Sequence, residues 1–423
     1  MKRAVVVGGG QAGAHVAIGL RELGFSGTVA LVGAEPHQPY QRPPLSKAYL
    51  SGEGDETSLE LRSADFYRDH GIDVITGERA VSITAADGRG RVRTDSGREL
   101  PHDGLALATG VRARRLNVPG VDATGVHYLR NFEDAAGLRR ALERAEQMRH
   151  RVVIVGAGFI GLEIAAACTK RGIDVMVVEA ADRVLARAVG PDMSSVVADA
   201  HRHRGVRLLL ECSVIEVLVD DDRRASGIRT SDGGTIECGV VVVGIGSSPR
   251  VELAEQLGLE CQGGIIVDEF CQTSQPGIVA AGDCAVFQPS WSNVAVRLES
   301  VPNAIEQGRI AASTLLGIEG AEQSAPWFWS DQGDLKLQIA GWTHDFDECV
   351  LRQGSEPDRV SAVYFRRGRL IGIEALNSPH DFNAVKRALA SARSMPVDQV
   401  ADSAVPLKEL LASASNSSRK FGA

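Results

Sequence analysis

The stretch Ala4-Val5-Val6-Val7-Gly8-Gly9-Gly10-Gln11-Ala12-Gly13 decides the fold. Four apolar residues read as a strand buried on both faces. The glycine cluster hands the chain to a helix with apolar positions Val16, Ala17, Leu20 and Leu23, stopped by Gly24. A second strand, Thr28 to Val32, leads to Glu35. In this setting Gly8 permits a tight turn, Gly10 lets backbone N–H groups approach a pyrophosphate, and Gly13 packs helix on strand. The positive end of the helix then faces the phosphate charge.

The pattern occurs twice. Arg151 to Val155 reads as a strand, Gly156-Ala157-Gly158-Phe159-Ile160-Gly161 as the glycine turn, and Leu162 to Arg171 as the helix. Asp174 to Val178 follows as a strand and ends at Glu179. One such turn is weak evidence, whereas two copies, each between strand and helix and each followed by an acid, are strong. Leu105 to Gly110 and Val240 to Gly246 read as closing strands, and Gly277 to Asp283 as another. The layout nests one nucleotide domain in the other, with residues 1–113 and 247–320 forming the first and 114–246 the second. Strand-like and helical runs over 321–412, with Trp327, Trp329 and Trp342 near their start, read as a C-terminal α+β domain. Residues 413–423 read as a flexible tail. The class is α/β with two Rossmann-type dinucleotide-binding domains.

The 423 residues carry 46 Lys plus Arg against 54 Asp plus Glu, a formal charge of −8 that argues against a nucleic-acid partner. No apolar run reaches the ~18 residues of a membrane span. Met1-Lys2-Arg3 runs straight into the first strand, which leaves no room for a signal peptide, so none is expected. The 7 cysteines form no CxxC pair, so zinc-ribbon and thioredoxin readings fail and no metal site is expected. A cytoplasmic protein is the expectation.

Two dinucleotide sites in one chain imply two cofactors exchanging electrons, FAD held permanently and a nicotinamide nucleotide that comes and goes. Chain order and nesting put FAD at the N-terminal turn. Glu179 selects NADH, because a carboxylate at that strand end accepts from both ribose hydroxyls and repels the phosphate of NADP. Arg183 and Arg187 are close enough to oppose that choice. Gly244 and Gly246 fall near the nicotinamide end. No cysteine precedes Cys168, which sits mid-helix among alanines, so thiol chemistry at a flavin is not expected.

Pro39-Tyr40-Gln41-Arg42-Pro43-Pro44-Leu45-Ser46-Lys47, Leu107-Ala108-Thr109-Gly110, Tyr128-Leu129-Arg130, Gly282-Asp283-Cys284, Arg297 to Ala304 and Pro326 to Gln332 together resemble the NADH-dependent ferredoxin reductases. These are glutathione-reductase-like flavoproteins that serve oxygenases, and the resemblance spans residues 4 to 412. It implies that FAD contacts Ala12, Glu35, Arg42, Lys47, Val81, Ala108, Thr109, Gly110, Arg130, Gly282, Asp283 and Val301. Relatives often carry an acid one position before Glu35, where this chain has Ala34, and an asparagine where it has Arg250. Asp283 is placed for the ribityl hydroxyls, and Ser300 is placed to cap a helix from Val301 whose positive end faces the flavin pyrimidine.

Lys47 and Glu163 are expected to border the hydride path as the catalytic pair. Trp329 stands either on the electron exit or in the third domain's core. The implied partner is an acidic [2Fe–2S] ferredoxin that feeds a cytochrome P-450 or Rieske-type oxygenase. Its landing site draws on Arg297, Arg309, Lys386, Arg387 and Lys408. Gly333 replaces a tyrosine typical of relatives. An NADH oxidase, a rubredoxin or nitrite-system reductase, and an apoptosis-inducing-factor-like NADH-switched flavoprotein are the competing readings.

Overall fold

The computed structural model describes residues 1–55, 57–86, 89–289, 291–292, 294–318 and 324–418. The chain divides into two units. The first comprises Met1–Arg42, Asp55–Arg112 and Ser247–Ser324, and the second Pro43–Gly54, Ala113–Gly246 and Ala325–Ala423.

A five-stranded parallel sheet organises the first unit, in the order Ile278–Ala280, Gly104–Leu107, Arg3–Val7, Thr28–Val32, Ile72–Ile75. The strand order reverses beside Arg3–Val7, so the crevice at the carboxyl ends of Val7 and Leu107 is where this topology takes a ligand. Ala4, Val5, Val6 and Val7 are all buried, as a strand covered on both faces requires. Helix Val301–Leu316 packs on helix Gln11–Glu22 through small buried residues, among them Ala304, Ala311 and Ala312. The antiparallel strands Ala80–Ala86, Arg89–Thr94 and Glu99–His102 form a separate small sheet.

The second unit repeats the plan. Its parallel sheet runs Arg207–Leu209, Val175–Val178, Val152–Val155, Val240–Val243, Val126–Tyr128, with the reversal beside Val152–Val155. Helix Phe159–Lys170 follows the glycine turn and is buried continuously from Gly161 to Cys168. The C-terminal part is a five-stranded antiparallel sheet, Trp327–Gln332, Leu335–Gly341, Arg369–Leu376, Val360–Arg366, Glu348–Gln353, packed against helices Pro379–Ala390 and Leu407–Ser418.

Pro43–Gly54 leaves the first unit and packs in the second, where Leu45 and Leu50 are fully buried and the Tyr49 ring lies 5.0 Å from Phe132. Each buried leucine contributes about 1.5–3 kcal/mol. The exposed Lys170–Glu53 ion pair beside it is worth less than about 1 kcal/mol, so apolar burial anchors the segment.

Helices Phe132–Met148 and Pro191–His203 lack a signal among the sequence expectations, as do the small antiparallel sheet of the first unit and its counterpart in the second, Val214–Val219, Ala225–Thr230 and Thr235–Glu237. The last helix continues to Ser418, well past the expected start of a tail at 413. Residues 419–423 of that tail lie outside the described residues, as does the boundary expected at 320/321. No helix among the described residues is long and apolar enough to cross a membrane, and none of their His, Cys, Asp and Glu groups could hold a metal ion.

Candidate active site

In the first unit the glycine turn sits at the crevice. Gly8 has φ +124°, and a Cβ there would stand 2.0 Å from the carbonyl oxygen of Ala108, so neither the conformation nor the space admits a side chain. Gly10 is the N-cap of helix Gln11–Glu22 and offers no side-chain hydrogen bond to it. A Cβ on Gly10 would enter open space. Helices Phe132–Met148 and Val301–Leu316, by contrast, are capped by the Asn131 and Ser300 side chains. An uncapped positive helix end with room before it fits a pyrophosphate. Ala12 and Gly13 are buried in the first turn of the helix, where Gly13 lies close against the Gly8 carbonyl.

The other expected residues of this unit ring the same strand ends. Ala108 N–H donates to the Val7 carbonyl at 2.8 Å, while Thr109 Oγ1 donates to the Arg250 carbonyl at 2.6 Å. Gly110 accepts from the Arg250 N–H at 2.9 Å, a main-chain bond that is independent of the side chain at that position. Gly282 leads to a partly buried Asp283, and its N–H donates to Gln307 Oε1 at 2.8 Å. Gln307 is fully buried and was absent from the sequence reading. Val301 opens its helix behind Ser300, whose Oγ accepts from Asn303 N–H at 3.2 Å.

Glu35 accepts from Tyr40 Oη and Arg42 Nη2, each at 2.5 Å, and the Arg42 guanidinium lies over the Tyr40 ring. Burial disfavours the Arg42 charge, but Tyr40, Glu35 and Asp283 outweigh it and hold its pKa above the usual guanidinium value. The carboxylate expected to meet a ribose is thus already oriented by an arginine. Val81 is exposed on the small sheet.

The second unit repeats the cradle. Gly156 (φ +105°) approaches the Gly244 carbonyl, Gly158 caps helix Phe159–Lys170 without a side chain, Ile160 is exposed in the first turn, and Gly161 lies against the Gly156 carbonyl. Glu179 accepts from the N–H groups of Ala157, at 2.6 Å, and Ala181, at 2.9 Å, which fixes the carboxylate against the glycine turn. Arg183 donates to the carbonyls of Ala186 and Val189, both at 2.7 Å, so its guanidinium is committed to its own loop. The Arg187 guanidinium lies beside Gly246. The Arg130 N–H donates to Asp134 at the start of helix Phe132–Met148.

Lys47 and Glu163 come together in this unit, Nζ to Oε1 at 2.9 Å, with Glu163 only 5% exposed. The carboxylate also accepts from Ser46 Oγ and from Ser330 Oγ, the latter at 2.6 Å. A buried carboxylate needs such partners to offset lost hydration. The strand Trp327–Gln332 alternates here. Phe328 packs 4.5 Å from Phe159, and Ser330 and Gln332 are fully buried. On the other face Trp329 stacks on Trp327, which also meets Phe382 and the Lys386 ammonium. Ser46 and Ser330 lie within runs singled out from the sequence, yet their hydroxyls carried no signal of their own.

Of the expected docking cations, Arg297 pairs with Glu299 at 2.5 Å and donates to the Asp283 carbonyl. Arg309, Arg387 and Lys408 are exposed. The seven cysteines are all free; Cys168 and Cys284 are fully buried, and burial pushes the Cys168 thiol up to about 12.

A second buried carboxylate braces the loop after Glu179. Glu374, fully buried, accepts from Tyr364 Oη at 2.8 Å and from Gly190 N–H at 3.1 Å to each oxygen. Burial pushes its carboxyl from 4.5 up to about 7, against those hydrogen bonds and the nearby Arg183 charge. A carboxyl with a higher pKa in the folded state takes up a proton on folding. Its contribution to stability is therefore present below pH 4.5 and lost as the pH rises through about 7. The urea-derived stability of wild type minus that of Glu374→Gln should accordingly decrease over this range, and a pH-independent difference would refute the assignment.

Two glycine cradles, with Lys47 paired to the buried Glu163 just past the first turn of the second glycine helix, are the arrangement of a two-nucleotide oxidoreductase. Residues 2–308 match the family described as pyridine nucleotide-disulphide oxidoreductase, and residues 327–411 match that described as reductase C-terminal. The chain belongs to the pyridine nucleotide-disulphide oxidoreductase family, with the C-terminal domain of its ferredoxin reductases. It is 43% identical to rhodocoxin reductase of Rhodococcus erythropolis over 96% of this chain and 94% of that one. The crystal structure of the ferredoxin reductase for the CYP199A2 system of Rhodopseudomonas palustris matches with a TM-score of 0.91 and 41% identity, covering 97% of this chain and all of that one. The reductase in a covalent putidaredoxin reductase–putidaredoxin complex matches with a TM-score of 0.91 and 36% identity, over 98% and 99% of the two chains.

Proposed function

We propose that the protein is an FAD-dependent NADH:ferredoxin oxidoreductase that supplies a cytochrome P-450 or Rieske-type oxygenase system through a [2Fe–2S] ferredoxin. The observation that carries this reading is the pair of dinucleotide cradles in one chain, each at the reversal point of its own parallel sheet. FAD is assigned to residues 1–113 and 247–320, the nicotinamide nucleotide to 114–246, and residues 321–412 to the C-terminal α+β domain. The bound flavin supplies the conversion between two-electron and one-electron transfer.

The chain's own residues bind and orient. Gly8, Gly10, Ala12 and Gly13 would cradle the FAD pyrophosphate, with Asp283 and the start of helix Val301–Leu316 turned to the rest of the cofactor. Gly156, Gly158, Ile160 and Gly161 would do the same for NADH. The Glu179 carboxylate, with Arg183 committed elsewhere, favours an unphosphorylated ribose. Lys47, held by Glu163, would border the hydride path. No protein nucleophile is required, in keeping with the burial of Cys168 and Cys284. Arg309, Arg387 and Lys408 are exposed cations suited to an acidic ferredoxin, and Trp329 is a candidate for the exit path. Free cysteines suit the cytoplasm.

The test is purification followed by coupled turnover. The protein should be yellow, release FAD on denaturation, and reduce cytochrome c with NADH rapidly only when a [2Fe–2S] ferredoxin is added. Equal turnover without ferredoxin would favour an oxidase. A long-lived reduced complex with no turnover would favour an NADH-operated switch.

A further inference from the structure

Beyond the Lys47–Glu163 pair, a column of fully or almost fully buried polar side chains runs away from the glutamate. Ser330 Oγ donates to Glu163 Oε1 at 2.6 Å, and Gln332 Nε2 donates to Ser330 Oγ at 3.2 Å. His201 Nε2 lies 2.7 Å from Gln332 Oε1. Ser330 and Gln332 are 0% exposed and His201 is 1% exposed. Burial lowers the His201 pKa, which favours the neutral ring. Gln332 Oε1 can only accept, so the Nε2 proton of His201 must point at it. Every link therefore donates in one direction, towards the carboxylate.

Polar groups this deep are costly to bury unless each is satisfied, and chains of aligned donors strengthen one another. An apolar pair at 330 and 332 would fill the same strand positions without that cost. The column has a geometric consequence for Glu163. Oε1 takes both Lys47 and Ser330, while Oε2 takes Ser46. The carboxylate plane is thereby fixed from three sides, and only the Ser330 side comes from the C-terminal sheet.

We propose that Ser330, aligned by Gln332 and His201, is a positioning residue that holds the Glu163 carboxylate in the orientation in which it pairs with Lys47. The C-terminal sheet thus takes part in the nicotinamide-side chemistry and does more than form an outer surface. This rests on the reading of Lys47 and Glu163 as the pair beside the hydride path.

A double-mutant cycle tests it, using Ser330→Ala, Glu163→Gln and the combination in the holoenzyme. The readouts are the limiting rate of flavin reduction by NADH and the urea midpoint. Loss of a hydrogen bond to a charged group should slow reduction by about tenfold in Ser330→Ala, with no further loss when it is added to Glu163→Gln. The urea midpoints should also be non-additive, and Ser330→Thr, which keeps the hydroxyl, should restore most of the rate. Equal losses in both backgrounds, or an unchanged rate in Ser330→Ala, would overturn the proposal. If Glu163→Gln itself left the rate unchanged, the reading of the Lys47–Glu163 pair would fall instead. Should Ser330→Ala not accumulate, Ser330→Cys keeps the volume with a weak donor and serves the same cycle.

Discussion

Gly8→Ala is expected to yield a protein that cannot retain FAD, purified colourless or recovered only as aggregate. The backbone at Gly8 has φ +124°, which costs an alanine about 1–3 kcal/mol. The steric conflict is more severe, since the added Cβ would lie 2.0 Å from the Ala108 carbonyl oxygen. That oxygen belongs to the crossing from strand Gly104–Leu107 into the Thr109–Gly110 turn, so relief requires the two strand ends to separate. The same crevice is the cradle assigned to the pyrophosphate. The ratio of absorbance at the flavin band to that at 280 nm, with the melting temperature, reads the outcome. A yellow variant with wild-type stability would show that the turn is not the flavin's anchor.

Arg352→Met is expected to cost about 3–5 kcal/mol of stability, the range for breaking a buried charge network. Arg352 is 4% exposed on the edge strand Glu348–Gln353. Its Nε meets Asp381 at 3.2 Å, Nη1 donates to the carbonyls of Val400 and Asp402, and Nη2 donates to Val405 at 3.0 Å. Methionine fills the stem but leaves three carbonyls and a carboxylate without their donor. The fork holds the 400–405 turn that delivers Leu407, Leu410 and Leu411 to the C-terminal core. The urea midpoint should fall sharply while the flavin stays bound at low denaturant. An unchanged midpoint would mean that water replaces the guanidinium at no cost. Both substitutions act on backbone carbonyls, one by collision and one by desertion.

Local chemistry explains what could be read from the chain. Continuous apolar runs such as Val152–Val155 and Val240–Val243, each next to a glycine turn, read as buried parallel strands, and the first of them feeds a helix. The resemblance alone pairs Lys47 with Glu163, and the two side chains meet at 2.9 Å. Ser330, Gln332, His201 and Glu374 were not legible, because a buried serine or glutamate has the same letter as an exposed one. Their roles depend on what a strand crossing brings opposite them. The two small antiparallel sheets escaped for a related reason. In Ala80–Ala86 the buried Ile83 stands among exposed or half-buried neighbours, so hydrophobic periodicity carries little signal.

The placement of the thiols bears on durability. Reduced flavins shed electrons to oxygen, and the peroxide that results attacks thiolates much faster than thiols. Here Cys168 and Cys238 are pushed up to about 12 and Cys349 to about 11, each chiefly by burial, and Cys261, Cys271 and Cys284 are shifted upward as well. Cys212 is walled off at 4% exposure. Thiols shifted upward in this way stay protonated, the form that peroxide attacks more slowly, so oxidation of this chain falls first on groups other than its buried sulfurs.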